Sequence, residues 1–173
     1  PQMYNSPIMT ARVAALLPLL LALPSPAATY HVPVDFETIQ AAIDSATHGD
    51  EIVVATGTYK ENIQFLGKNI VVRSENPLDR AIVLETVIDS ARRLMPMITF
   101  SGIEDETAKV SGFTLTGGDN PFGRPVGVEG NECKATISHN IIRNNIGGGI
   151  YRCNGHINST IFFDNTASTT SLL

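Results

Sequence analysis

The chain has 173 residues, 43% of them hydrophobic, and carries 12 Lys and Arg against 17 Asp and Glu for a net charge of −5. Its basic side chains are scattered, so it lacks the positive stripe that neutralises phosphate backbones, which argues against a nucleic-acid partner. There is no Trp to build a broad aromatic platform, and the length suits one domain.

The N-terminal stretch reads as a targeting segment. Residues 1–8 precede Met9 and carry no structural pattern. Met9-Thr10-Ala11-Arg12 is a short basic start, Val13 to Leu23 an apolar run broken only by Pro18, and Pro24-Ser25-Pro26-Ala27-Ala28 a run of small residues. This is the layout of a secretory signal, with cleavage expected after Ala27. The apolar run is too short for a bilayer crossing, which needs about 20 residues, so no membrane insertion is expected of the mature chain. Residues 1–27 are therefore assigned to upstream sequence plus signal peptide and residues 28–173 to one domain. Loss of Arg12 with the signal takes the net charge to −6. The expected location is extracellular or at the cell surface.

From Thr29 to Val34 the mature chain reads as an extended lead-in. Asp35-Phe36-Glu37-Thr38 then opens a helix, with carboxylates near its positive end. Ile39, Ala42, Ile43 and Ala46 form one apolar face, and Gly49 closes it. Strand runs follow at Glu51–Val54, Asn62–Phe65, Ile70–Arg73, Ala81–Leu84 and Pro96–Phe100, with shorter ones near Val126–Glu129 and Gly149–Tyr151. Turn chemistry separates them, as at Thr56-Gly57-Thr58, Gly67-Lys68-Asn69 and Asn76-Pro77. Residues 85–95 and 119–132 are longer excursions.

An internal repeat organises the C-terminal half. Ile137 to Asn145 aligns on Ile157 to Asn165 at an offset of 20, placing Ile137 on Ile157, Ile142 on Phe162, Asn144 on Asp164 and Asn145 on Asn165. Going back 27 residues, Val110 to Gly118 fits the same template. A period of this size, with short β-branched or aromatic runs and no helical stripe, predicts a solenoid of short parallel strands stacked about 4.8 Å apart. The helix at 39–46 is then the cap over its N-terminal end. The tail from Ala167 to Leu173 supplies no second cap, and an open strand edge is an aggregation hazard, so the chain is expected to continue into further domains. Asn144, Asn145, Asp164 and Asn165, with Asn140, read as a structural stack of bend side chains that bond to one another and to turn backbone.

Cys133 and Cys153 are one repeat apart and would stack at disulfide distance. A competing frame lays Val128 over Ile150, a spacing of 22, and puts the thiols out of register. Two residues of turn insertion would reconcile the two frames, and the pairing is left open.

The run Thr38-Ile39-Gln40, Ala42-Ile43, Gly49-Asp50, Ile52-Val53-Val54, Gly57-Thr58-Tyr59, Glu61-Asn62-Ile63 resembles the N-terminal cap and first coil of the pectin-lyase-like right-handed parallel β-helix superfamily. Val110 to Gly118 and Gly147-Gly148-Gly149-Ile150-Tyr151 resemble its secreted bacterial members. The resemblance spans about residues 30–167. It implies a right-handed parallel β-helix and a polysaccharide partner, with pectin-like uronate polymers as the substrate class. Its members include pectate lyases, polygalacturonases, pectin methylesterases and adhesins with no known catalysis, so a polysaccharide lyase, a glycoside hydrolase or esterase, and a non-catalytic surface stalk all stand as readings.

No catalytic residue carries over. Hydrolases need paired carboxylates about 5 to 10 Å apart, and the repeat offers Asp164 above Asn144 with Gly117 below. Glu104-Asp105-Glu106 is the one dense acidic cluster, either a solvated turn or a surface Ca²⁺ site. His139 and His156 read as surface and turn positions. Asp119, Arg124, Glu129, Arg143 and Arg152 flank the glycine run and the long excursion, and they are the candidates to line one polysaccharide groove, Arg being apt for anionic sugars. Scattered surface charge is the competing reading for them.

Overall fold

A computed structural model of the protein describes residues 26–122 and 124–166. Residues 1–25, most of the predicted upstream and signal segment 1–27, and the tail from residue 167 lie outside the described residues. In chain order the elements are β1 (Thr29–Val32), α1 (Ile39–Ser45), β2 (Glu51–Val54), β3 (Gly57–Lys60), β4 (Ile63–Gln64), β5 (Val71–Ser74), α2 (Arg80–Glu85), β6 (Thr86–Asp89), β7 (Ile98–Thr99), β8 (Lys109–Ser111), β9 (Thr114–Thr116), β10 (Pro125–Cys133), β11 (Thr136–Ser138), β12 (Ile141–Arg143), β13 (Gly148–Cys153), β14 (Ile157–Asn158) and β15 (Ile161–Phe163).

The described strands form three parallel sheets. The first has the order β1-β2-β5-β8-β11-β14, the second β3-β6-β9-β12-β15 and the third β4-β7-β10-β13. From β2 onward the chain visits first, second and third sheet in strict rotation. Each sheet therefore grows by one strand per circuit, and equivalent side chains meet across it.

Inward residues form three apolar rows. Ile52, Val72, Val110, Ile137 and Ile157 are successive partners in the first sheet. Ile88, Leu115, Ile142 and Phe162 follow one another in the second, and Ile63, Ile98, Val128 and Ile150 in the third. Apart from the final partners Ile157, Phe162 and Ile150, these side chains are fully buried. Strand pairs alone would be marginal; stacking several circuits around one apolar centre stabilises each by its neighbours.

The bends use a second device. Gly112, His139 and Ser159 occupy equivalent positions and all adopt positive φ, at 83°, 56° and 50°. Gly117, Asn144 and Asp164 repeat this at the next bend, with φ of 82°, 56° and 52°. The left-handed region is where glycine and short polar residues sit at least cost, which explains the alternation of Gly, Asn and Asp. One residue after the bends at His139, Asn144 and Asp164, an amide clamps the preceding circuit. Asn140 Oδ1 accepts from Phe113 N and its Nδ2 donates to the Val110 carbonyl. Asn145 does the same to Gly118 N and the Leu115 carbonyl. Asn165 accepts from Asn145 N and Nδ2 and donates to the Ile142 carbonyl. The anticipated amide stack runs through Asn140, Asn145 and Asn165, whereas Asn144 and Asp164 form the bend itself.

Three expectations are corrected. Ala81–Leu84 is not a strand but lies inside α2. Asp79 accepts from Ala81 N as its N-cap, and of this apolar run only Val83 is buried. The strands β3 and β6 fall in segments read as a turn and as an excursion. The α1 helix does carry the predicted apolar face, with Ile39, Ala42, Ile43 and Ala46 buried, and it packs on β1, β2 and β4. Its first turn, however, has no acidic residue. The Glu61 carboxylate accepts from Ile39 N and Gln40 N instead, and Lys68 Nζ donates to the carbonyls of Ile43 and Asp44 at the other end. Both orphan ends of a seven-residue helix are thus satisfied from the neighbouring circuit. Among the described residues, no helix is long and apolar enough to cross a membrane.

Candidate functional site

The third sheet carries the outward row Gln64, Thr99, Glu129 and Tyr151, successive register partners on β4, β7, β10 and β13. Each lies one residue beyond an inward apolar partner, so the pleat turns it to the outside. The row forms the floor of an open cleft in two contiguous parts that share Met95, Pro96 and Thr99. One part, of about 520 Å³, is lined by Leu94, Arg124, Glu129, Tyr151 and Arg152 as well. The other, of about 530 Å³, runs toward α1 past Gln64, Asn62, Glu61 and Lys60.

Two excursions wall the cleft, and both leave the coil at the same corner. Residues 90–97 join β6 to β7, and residues 117–124 join β9 to β10. Asn62 holds the first, accepting from Arg92 N and donating to the carbonyls of Met95 and Pro96. The two excursions are pinned to each other: Asp119 N donates to the Arg93 carbonyl at 2.8 Å, Asn120 Nδ2 to the Leu94 carbonyl at 2.9 Å, and Arg93 faces the Asp119 carboxylate at 3.6 Å. The extra residues that lengthen these circuits thus build a wall instead of loose loops.

Of the five predicted groove residues, Arg124, Glu129 and Arg152 share the cleft. Asp119 is a wall residue, engaged with Arg93. Arg143 lies on β12 in the second sheet, with its guanidinium 5.9 Å from the Phe163 ring centroid, and it does not line the cleft. Arg152 is held by Glu132 at 2.8 Å. That hydrogen bond raises the Arg152 pKa and lowers that of Glu132, the latter helped by Asn154. Tyr151, 53% exposed, was missed as a site residue. The alignment of Val128 on Ile150 already implied it, since one step further Glu129 stands beside Tyr151. Thr99, Gln64 and the wall residues Leu94 to Pro96 carried no such signal.

The acidic run 104–106 does not form a shared ligand set. Glu104 turns inward, 2% exposed, and its two oxygens accept from the backbone N–H groups of Gly67, Ser101 and Gly102. Asp105 accepts from Thr107 N, Thr107 Oγ1 and Asn69 Nδ2. The hydrogen bonds from Thr107 hold its carboxyl below the usual range. Glu106 is exposed. Among the described residues no group of three His, Cys, Asp or Glu side chains is placed to hold a metal ion. Glu104 spends its carboxylate on backbone donors, so the three acidic side chains do not converge on one point. His139 sits at a left-handed bend and His156 is exposed ahead of β14, both away from the cleft.

Chemically, the Tyr151 part of the cleft offers one aromatic face, two guanidinium groups and one carboxylate, and the other part adds Lys60, Arg92, Asp44, Glu61 and neutral hydrogen-bonding groups. That set suits an elongated polyhydroxylated ligand, with a ring face on Tyr151 and polar groups along Thr99 and Gln64. It carries no carboxylate pair in its Tyr151 part, where Glu129 is the sole acidic lining residue. The other part is lined by two carboxylates, of which Glu61 holds the N-terminus of α1 and Asp44 accepts from Gln40 Nε2. No family model, characterised protein or solved structure matches the chain, and nothing in these comparisons identifies the pectin-lyase-like superfamily.

Proposed function

We propose that the protein is a secreted right-handed parallel β-helix that binds extracellular or cell-wall polysaccharide along its third sheet. The rotation of the chain through three parallel sheets and the stacked apolar rows support the helix. The basic-apolar-small layout of residues 9–28 supports secretion. The observation that carries the binding reading is the continuous row Gln64–Thr99–Glu129–Tyr151 at the floor of a walled cleft that runs across the strands. A polymer lying in it meets one outward side chain from an equivalent register position at each step.

Binding without cleavage is the reading favoured for these residues, because a hydrolase needs two carboxylates across the scissile bond and Glu129 has no acidic partner in its part of the cleft. The domain then acts as a ligand platform, as a surface adhesin or stalk would. A pectin-active lyase or hydrolase is the competing outcome.

Affinity electrophoresis of the mature domain in gels containing polygalacturonate, or a neutral glucan as comparison, tests this. Retardation that Tyr151→Ala weakens roughly tenfold, the scale of one lost stacking contact with its hydrogen bonds, is expected, with Arg143→Ala unchanged. Equal mobility with and without every polymer would overturn the proposal. Release of unsaturated products, followed by absorbance, would shift it to catalysis.

A further inference from the structure

The strongest chemistry outside the cleft is the thiol pair. The β10 and β13 strands align Val128 with Ile150 and Glu129 with Tyr151, then re-align at Cys133 with Cys153. Between those points β10 uses two more residues than β13. The surplus is absorbed in a bulge where Asn131 and Glu132 both adopt positive φ, at 47° and 69°. Both registers weighed from the sequence therefore coexist, and the bulge is what brings the sulfurs together. Their Sγ atoms are 3.6 Å apart, on adjacent strands whose spacing of about 4.8 Å falls within the Cα range that a disulfide accepts. Both cysteines are free thiols, Cys133 buried and Cys153 partly exposed.

We propose that Cys133 and Cys153 form a thiol–disulfide exchange site that closes to an inter-circuit disulfide on reaction with a small-molecule disulfide. Accessibility assigns the roles. Cys153 is the attacking sulfur, because a reagent reaches it, and Cys133 is the resolving sulfur, because it touches Cys153 and is shielded from solvent. The electrostatics agree: the hydrogen bond from Cys133 lowers the Cys153 pKa to about 7, helped by the backbone N–H of Gly155. That same bond, with burial, pushes the Cys133 thiol up. A thiol whose pKa is near ambient pH is the efficient nucleophile.

The steps balance. The Cys153 thiolate attacks one sulfur of the disulfide RSSR, and RS⁻ leaves as the mixed disulfide forms. The RS⁻ takes up the Cys133 proton, and the Cys133 sulfur then attacks Cys153 Sγ and expels the second RS⁻, which picks up the proton first released from Cys153. Two protein thiols are oxidised and RSSR is reduced to two RSH. The bridge ties β10 to β13, the two strands that bear Glu129, Tyr151 and Arg152. This inference stands whether or not the cleft binds a polysaccharide.

The test uses the full chain with oxidised glutathione, followed by iodoacetamide labelling and intact-mass measurement. The wild type is expected to lose both labelling sites without forming disulfide-linked dimers, and to melt several degrees higher than after reduction. Cys133→Ser is expected to accumulate one glutathione at Cys153, whereas Cys153→Ser leaves Cys133 unmodified while folded, as judged by unchanged circular dichroism. Two labelled cysteines in folded wild type after oxidation, or disulfide-linked dimers, would overturn the proposal. So would equal glutathione uptake by the two single variants. The wild-type measurement stands alone should either variant misfold.

Discussion

Asn145→Ala isolates the clamp that joins one circuit to the next. Asn145 is 1% exposed; its Oδ1 accepts from Gly118 N at 2.9 Å, and its Nδ2 donates to the Leu115 carbonyl and to Asn165 Oδ1, both at 3.1 Å. Alanine leaves the buried Gly118 N–H without that acceptor and removes a donor from the Leu115 carbonyl. An orphaned buried group costs about 1–3 kcal/mol and an ordinary hydrogen bond about 1, so the sum is ~3 kcal/mol. For a domain of this size that lowers the melting temperature by about 10 °C. Asn144→Ala, one residue earlier and exposed, loses only the tolerance of asparagine for the left-handed bend and is expected to cost under about 1 kcal/mol. Thermal melts by circular dichroism, with polymer binding measured in parallel, compare the two. A melt for Asn145→Ala indistinguishable from that of Asn144→Ala would refute the clamp. Loss of binding with an unchanged melt would show that the amide serves the ligand instead.

Three further outcomes are expected. Gly127→Ala would place a Cβ against the Gly149 carbonyl of β13, with the carbonyl carbon at 3.0 Å; because backbone cannot move aside, a loss of about 3 kcal/mol should appear in a denaturant midpoint, and an unchanged midpoint would count against so close a strand approach. Glu104→Gln puts an amide nitrogen among three backbone donors and should cost about 2 kcal/mol, while chelation by EDTA leaves the wild-type melt unchanged; a melt lowered by EDTA would indicate a bound Ca²⁺. Asp50, 4% exposed, accepts from Thr47 N, Ala28 N and Thr47 Oγ1, and the backbone donors Thr47 and Ala28 lower its pKa. Its folded value lies below the ordinary aspartate value of about 3.9, so its contribution is complete above that pH and is lost as pH falls through the folded value. The stability gap between wild type and Asp50→Asn should therefore narrow on acidification below about pH 4, and a gap constant with pH would contradict this.

The rows Val110–Ile137–Ile157 and Leu115–Ile142–Phe162 and the bend amides Asn145 and Asn165 were legible in the sequence. In a stacked coil the inward side chain and the bend residue recur at the circuit length, so each circuit repeats the same demand and the repeat itself records it. The core face of α1 was legible for the same reason, since its period is local. The ends of α1 were not, because Glu61 and Lys68 reach it from another circuit.

Tertiary structure decided the walls and extent of the cleft. Outward residues have no apolar period to reveal them; β10–β13 pairing sets Glu129 beside Tyr151 and Arg152, and the wall alongside them exists because two insertions leave the coil at one corner and pin each other there. The same folding sent Arg143 to a different sheet, turned Asp119 into a wall brace and drew Glu104 inside onto backbone donors. It also set the thiols opposite each other through a two-residue bulge. Strand register decides which face a side chain occupies, and a shift of one residue reverses it. Composition and spacing dictated the stacking of this chain, whereas its cleft depended on where each insertion entered the circuit.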